Sequence, residues 1–124
     1  MKVIDKKIIR LLKGEYVCHF ANHLWGDEIV LMEKSGVAMA RVYWYCDDET
    51  AVYLDWLSVA CESRNKGIAT KLQVVREKIG KIVGAKYCRL LVEKSKWMHG
   101  WYKRRGYTDY QTHDDEWVWM QKLL

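Results

Sequence analysis

The sequence has no proline and only one phenylalanine in 124 residues. Without proline there are no stiff Pro-rich linkers, and with half of the residues hydrophobic the chain reads as one domain spanning 1–124, enough for a single core but not for two. No uninterrupted apolar run reaches the roughly 18 residues that a membrane span needs, and no signal-peptide pattern opens the chain. The expected location is the cytoplasm, with no membrane partner. Cys18, Cys46, Cys61 and Cys88 form no C-x-x-C pair, which argues against a zinc knuckle or redox dithiol and for reduced thiols. His19 and His23 lie beside Cys18, but their surroundings alternate as a strand does, so no metal is expected. Internal repeats and low-complexity tracts are also missing.

Charge is present but unevenly placed. Residues 1–62 carry 7 basic and 10 acidic side chains, whereas residues 63–124 carry 14 and 6. A basic half beside a mildly acidic one points to an anionic ligand on one side and a cationic one on the other. Nucleic-acid binding, with the seven tryptophans as stacking platforms, is the rival reading. Trp44, Trp56, Trp117 and Trp119 sit within apolar runs, however, so core packing is their expected role.

The chain is organised around residues 51–84. Ala51 to Val59 is apolar, β-branched or aromatic apart from Asp55 and Ser58, and reads as a largely buried strand. From Ile68 the apolar residues return at Leu72, Val75, Ile79 and Ile82, the spacing of one helical face, and Gly84 is a suitable stop. Between strand and helix lies Arg64-Asn65-Lys66-Gly67-Ile68-Ala69. Glycine at a helix start lets a ligand approach the backbone, and the unpaired amides there favour an anion such as a pyrophosphate.

The rest of the chain reads as an opening helix at Val3–Leu12, strands at 16–24, 28–34 and 37–46, and an acidic turn at Asp47-Asp48-Glu49. After Gly84 come a strand at Tyr87–Val92, parallel to the 51–59 strand, a helix around Trp97–Tyr102 ended by Gly106, and a closing hairpin.

Arg-x-x-Gly-x-Ala after a strand ending in Val resembles the acyl-CoA loop of the GNAT family of N-acetyltransferases. Trp101-Tyr102-Lys103-Arg104-Arg105-Gly106-Tyr107 resembles that family's second recurring segment, in the same order and at a similar separation. The likeness covers about Ala51 to the C-terminus and is closest to the diamine and polyamine acetyltransferase branch. Asn65 stands where the family usually has Gly, and Ala69 replaces a second Gly; Asn tolerates positive φ better than most residues. The resemblance implies an α/β, three-layer α/β/α acyl-CoA N-acetyltransferase fold with a mixed, mostly antiparallel sheet and a shortened N-terminal portion.

The same resemblance implies acetyl-CoA as cosubstrate, held by the main chain of Leu57, Ser58 and Val59 and by Arg64, Asn65, Lys66, Gly67, Ile68, Ala69 and Thr70. Ser95 stands in for an asparagine that the family carries before its last helix. Acetyl would pass directly to a primary amine, with Tyr102 protonating the leaving thiolate and Asp55 serving as base or anchor. Deprotonating an ordinary alkylammonium at pH 7 costs about 4.6 kcal/mol, and an ordinary aspartate is a weak base for that task. The expected acceptor is cationic, and a homodimer would complete the acceptor pocket that a short N-terminal portion leaves open. A non-catalytic CoA-binding or nucleic-acid-binding module is the alternative.

Overall fold

The computed structural model describes residues 2–124. Its first helix, α1 (Val3–Leu12), buries Ile8 and Leu12 and stops at Lys13 and Gly14, both left-handed. An antiparallel meander follows: β1 (Tyr16–Asn22), β2 (Gly26–Glu33), β3 (Ala38–Tyr45) and β4 (Asp48–Val59). The crossover helix α2 (Ile68–Val83) leads into β5 (Tyr87–Glu93), which is parallel to β4. Then come α3 (Trp97–Lys103), β6 (Thr108–Thr112) and β7 (Trp117–Leu123). The final strand inserts beside β5, giving the order β1-β2-β3-β4-β5-β7-β6. The expected mixed, mostly antiparallel sheet is therefore present. Several boundaries differ from the sequence reading: β1 ends at Asn22, β2 runs from Gly26 to Glu33, β3 is a residue shorter at each end, β5 extends to Glu93, and β4 begins at Asp48, which moves Asp48 and Glu49 from the turn into the strand.

Strand alternation sorts the sheet into two unlike faces. One carries Ile29, Leu31, Val42, Val52, Leu54, Cys88, Leu90, Val118 and Met120, all buried. The helices gather on this face. Ile8 and Leu12 of α1 join its core, Gly80 of α2 sits so close to Val52 and Cys88 that an added Cβ would lie 3.0 and 3.4 Å from them, and Tyr102 of α3 bonds to Arg76 of α2. Burial raises the Cys88 thiol to about 12, which keeps it protonated and inert.

The second face is covered by side chains rather than by a helix among the described residues. Tyr43, Tyr45, Tyr53, Trp25 and Trp119 form a connected aromatic layer with ring centroids 5.2–6.0 Å apart. Arg41 lies among them, 4.5 Å over the Tyr43 ring and 4.1 Å over Trp56. The guanidinium donates to both oxygens of Asp55, at 2.8 and 2.6 Å, and to Glu28 at 2.8 Å. These bonds raise the pKa of Arg41, and its bond to Glu28, followed by that from His23, holds the Glu28 carboxyl below the usual range. Of the four tryptophans expected in the core, Trp44 packs against it. Trp56 and Trp117 are instead 54% and 38% exposed, because both fall on the uncovered side.

Arg41→Met should lower the melting temperature by roughly 3–10 °C at pH 7, since it leaves two carboxylates half-buried without their cation. Glu28 has a depressed folded-state pKa, so its stabilisation is present above the unfolded value and lost as pH falls through the folded one. The gap between wild type and mutant should therefore narrow below about pH 4. Thermal melts across pH 3–7 measure it, and a gap independent of pH would contradict this account.

Candidate active site

A single extra residue in β4 opens the site. Met39 pairs with Ser58 and Arg41 with Asp55, so Trp56 and Leu57 together face Ala40, and Trp56 takes φ 57°. Such a bulge bends its strand. Beyond Tyr53 and Arg89 the two parallel strands no longer pair: β4 follows β3 to Val59, while β5 follows β7 to Glu93. The β5-facing edge of β4 is left without a strand partner, so its main-chain groups are open to an extended ligand, as strand addition requires.

A cleft of about 650 Å3 lies at the end of that gap. Leu57, Ser58 and Val59 form one wall, and Arg64, Asn65, Gly67, Ile68, Ala69 and Thr70 form another. Nine of the expected cofactor contacts are thus brought together. Lys66 is exposed on the same loop but does not line the cleft. Ser95 sits exposed in the turn before α3 and lines neither this cleft nor its neighbour.

The loop's conformation explains its residues. Asn65 and Gly67 are both left-handed, at φ 64° and 77°, and glycine and asparagine reach this region at the least cost. Gly67 caps α2 with no side-chain bond to the first-turn amides. Those amides, with the positive end of the helix dipole behind them, are free for an anion. The Arg64 side chain folds back to donate to the Val59 carbonyl at 3.2 Å. A pyrophosphate therefore fits this position by backbone donors and charge.

Six lining residues were not among the expected cofactor contacts: Ser63, Trp97, Met98, Trp101, Arg104 and Arg105, the last three from the 101–107 segment. Arg105 stacks 3.7 Å over Trp101 and donates to the Trp101 carbonyl at 3.0 Å and to Thr70 at 3.1 Å, tying α3 to the start of α2. Burial and neighbouring Arg104 pull its pKa down. The basic run after Tyr102 was a visible signal, but its contact with Thr70 spans 35 residues of sequence.

A second cleft of about 240 Å3 shares Leu57 and Met98 with the first, so the two adjoin at the parting of the strands. Asp55, Trp56, Leu91, Glu93, Trp117 and Tyr102 are on its walls. Tyr102 is 3% exposed, and its hydroxyl accepts a bond from Arg76 at 2.9 Å, which leaves its own proton available to donate. Asp55 has both oxygens engaged by Arg41. With both oxygens taken, it has none free to receive a proton from an amine. Among the described residues, no group of three or more His, Cys, Asp or Glu is arranged to hold a metal ion.

Gly67→Val should weaken CoA binding at least tenfold, because a β-branched residue resists φ near 77° and places bulk where the anion approaches. The space around Gly67 is open, so the fold should survive. Calorimetry with a parallel thermal melt tests this, and undiminished affinity would place the anion elsewhere.

No protein-family model matches the chain, and no curated protein matches it in sequence. Solved structures do. The PaiA N-acetyltransferase from Thermoplasma acidophilum, in complex with coenzyme A, superposes with a TM-score of 0.65 at 22% identity, over 78% of this chain and 60% of that one. A GNAT family acetyltransferase from Elizabethkingia anophelis with acetyl-CoA bound gives 0.67 at 11% identity, over 90% and 100%. The GNAT domain of S. lividans PAT gives 0.67 at 17%, over 85% and 65%. This chain thus spans less than two thirds of the first and third of these proteins. At such identities the likeness establishes architecture, and the architecture is the α/β fold of the GNAT acyl-CoA N-acetyltransferases.

Proposed function

We propose that the protein is an acetyl-CoA-dependent N-acetyltransferase that passes acetyl directly from the thioester to a primary amine. The observation that carries this reading is the parting of β4 from β5 at Tyr53 and Arg89, with the uncapped N-terminus of α2 at one end and a tyrosine-lined cleft at the other. Bound acetyl-CoA supplies the activated acyl group. The start of α2 holds the diphosphate, and the free edge of β4 at Leu57, Ser58 and Val59 bonds the extended arm as an added strand would. This leaves the thioester near Tyr102. The neutral amine attacks the carbonyl carbon, the C–N bond forms, and the C–S bond breaks. Tyr102 gives its proton to the departing sulfur, while the amine's surplus proton passes to water.

The acceptor is a cationic amine in this reading, in keeping with the resemblance to the diamine and polyamine branch. Asp55 and Glu93 line the second cleft, the first paired with Arg41 and the second 3.8 Å from Lys96, and Trp56 and Trp117 add exposed aromatic faces of the kind that attract alkylammonium groups. Asp55 acts as an anchor through its pair with Arg41 rather than as a free base. We also propose that a second copy of the chain covers the aromatic sheet face, which would roof the acceptor cleft, and that the protein works in the cytoplasm. Light scattering at micromolar concentration should give twice the chain mass; a monomer with and without CoA would remove the dimer.

Free-CoA release across a library of amines tests the activity. Tyr102→Phe keeps the ring and loses the proton, so kcat should fall roughly a hundredfold with CoA affinity nearly unchanged. Asp55→Asn should raise KM for the amine and leave kcat within a few-fold, a pattern of lost anchoring. CoA binding without release for any amine would instead support a binding module, and a steep salt dependence of RNA or DNA binding would support a nucleic-acid role.

A further inference from the structure

Arg76 is the largest fully buried side chain in the protein, at 0% exposure, and among the described residues no Asp or Glu pairs with it. It sits on the buried stripe of α2 between Leu72 and Ile79, where a leucine would satisfy packing alone. A cation there costs folding stability unless its surroundings use the charge. All of its hydrogen bonds go to neutral acceptors. Nη2 donates to the Tyr102 hydroxyl at 2.9 Å and to Gln73 Oε1, Nη1 donates to the Asp55 main-chain carbonyl at 3.3 Å, and Nε is unpaired. Gln73 is itself fixed, donating to the Tyr107 hydroxyl at 2.7 Å and to Glu77 at 3.1 Å. The guanidinium is thus held from behind and aimed at one phenol oxygen.

We propose that Arg76 is a positioning residue for Tyr102: it fixes the phenol against β4 and stabilises the negative charge that Tyr102 acquires when it protonates the leaving sulfur. This inference rests on the acetyltransferase reading. As the C–N bond forms and the C–S bond breaks, the proton on Tyr102 Oη moves to sulfur, leaving CoA as a thiol and the phenolate oxygen 2.9 Å from Arg76 Nη2. Water returns the proton after the products leave. The bond to the Asp55 carbonyl ties the same guanidinium to the strand just before the bulge, so the proton donor and the edge that receives the acyl donor share one support. A charge meant only for solubility would sit at the surface. This one sits where anionic character appears only during the reaction.

A double-mutant cycle tests the proposal. If Arg76 works through Tyr102, Arg76→Met should lower kcat by roughly 30-fold or more, Tyr102→Phe by roughly a hundredfold, and the pair by no more than about threefold beyond Tyr102→Phe. CoA affinity should stay within about threefold throughout. Arg76→Gln, which retains polar atoms but not the charge, repeats the cycle should the methionine variant fail to fold, and Arg76→Lys should recover much of the lost turnover. In the ligand-free protein carrying [13Cζ]tyrosine, the resonance that Tyr102→Phe abolishes should move on Arg76→Gln while those of tyrosines remote from it hold still. Multiplicative losses in an active enzyme, or an unmoved Tyr102 resonance, overturn this inference alone. A wild-type protein that releases no CoA with any amine overturns the acetyltransferase reading beneath it.

Discussion

The bulge at Trp56 and Leu57 is the constraint on which the candidate site depends. Two parallel strands joined by a helix would ordinarily pair along their length, satisfying each other's main-chain groups. Here pairing stops after three residue pairs, because β4 bends to follow β3 while β5 keeps its register with β7. The open edge this creates would be a liability at the rim of a sheet. In the middle, flanked by α2 and α3, it leaves main-chain groups open that an added extended segment could pair with. A strained residue at φ 57° is the cost, borne by a tryptophan whose ring stacks on Arg41.

Arg41 and Arg76 divide the electrostatic work on the two faces of β4. Arg41 spans Glu28 and Asp55 on the aromatic face, so three charges close to a net −1 in partial contact with water. Arg76 reaches the backbone of Asp55 from the helical face and has no carboxylate of its own. Asp55 is thus held through both its side chain and its carbonyl at the residue where the strand starts to bulge.

The helix-free face of the sheet follows from topology. The β1–β2 connection spans only residues 23–25 and carries no helix, and the aromatic layer covers that side of the sheet. Tyr and Trp cover area with few rotatable bonds and keep a polar atom for water, so a layer of them can remain half-wet where leucines could not.

The helices, the crossover and the glycine-led start of α2 were legible in the sequence, because each is a local pattern: a 3.6-residue repeat, a Gly stop, a Gly-Ile-Ala start after a strand. Nine of the eleven expected cofactor residues meet in one cleft for the same reason, since they lie in two short segments joined by a tight turn. Lys66 and Ser95 fall outside because loop direction, unlike loop position, is not written in spacing. What tertiary structure decided are the pairings between distant residues. Asp55 reads in sequence as a lone acid on a strand, and only its neighbour across 14 residues shows that both its oxygens are taken. Arg76 falls at helical spacing between Leu72 and Ile79, on the apolar side of α2, and only the packing of α3, 26 residues on, shows that its guanidinium meets a tyrosine hydroxyl. Periodicity fixes which face a side chain occupies; what that face meets is set by the register of strands and the seat of helices, which no local pattern carries.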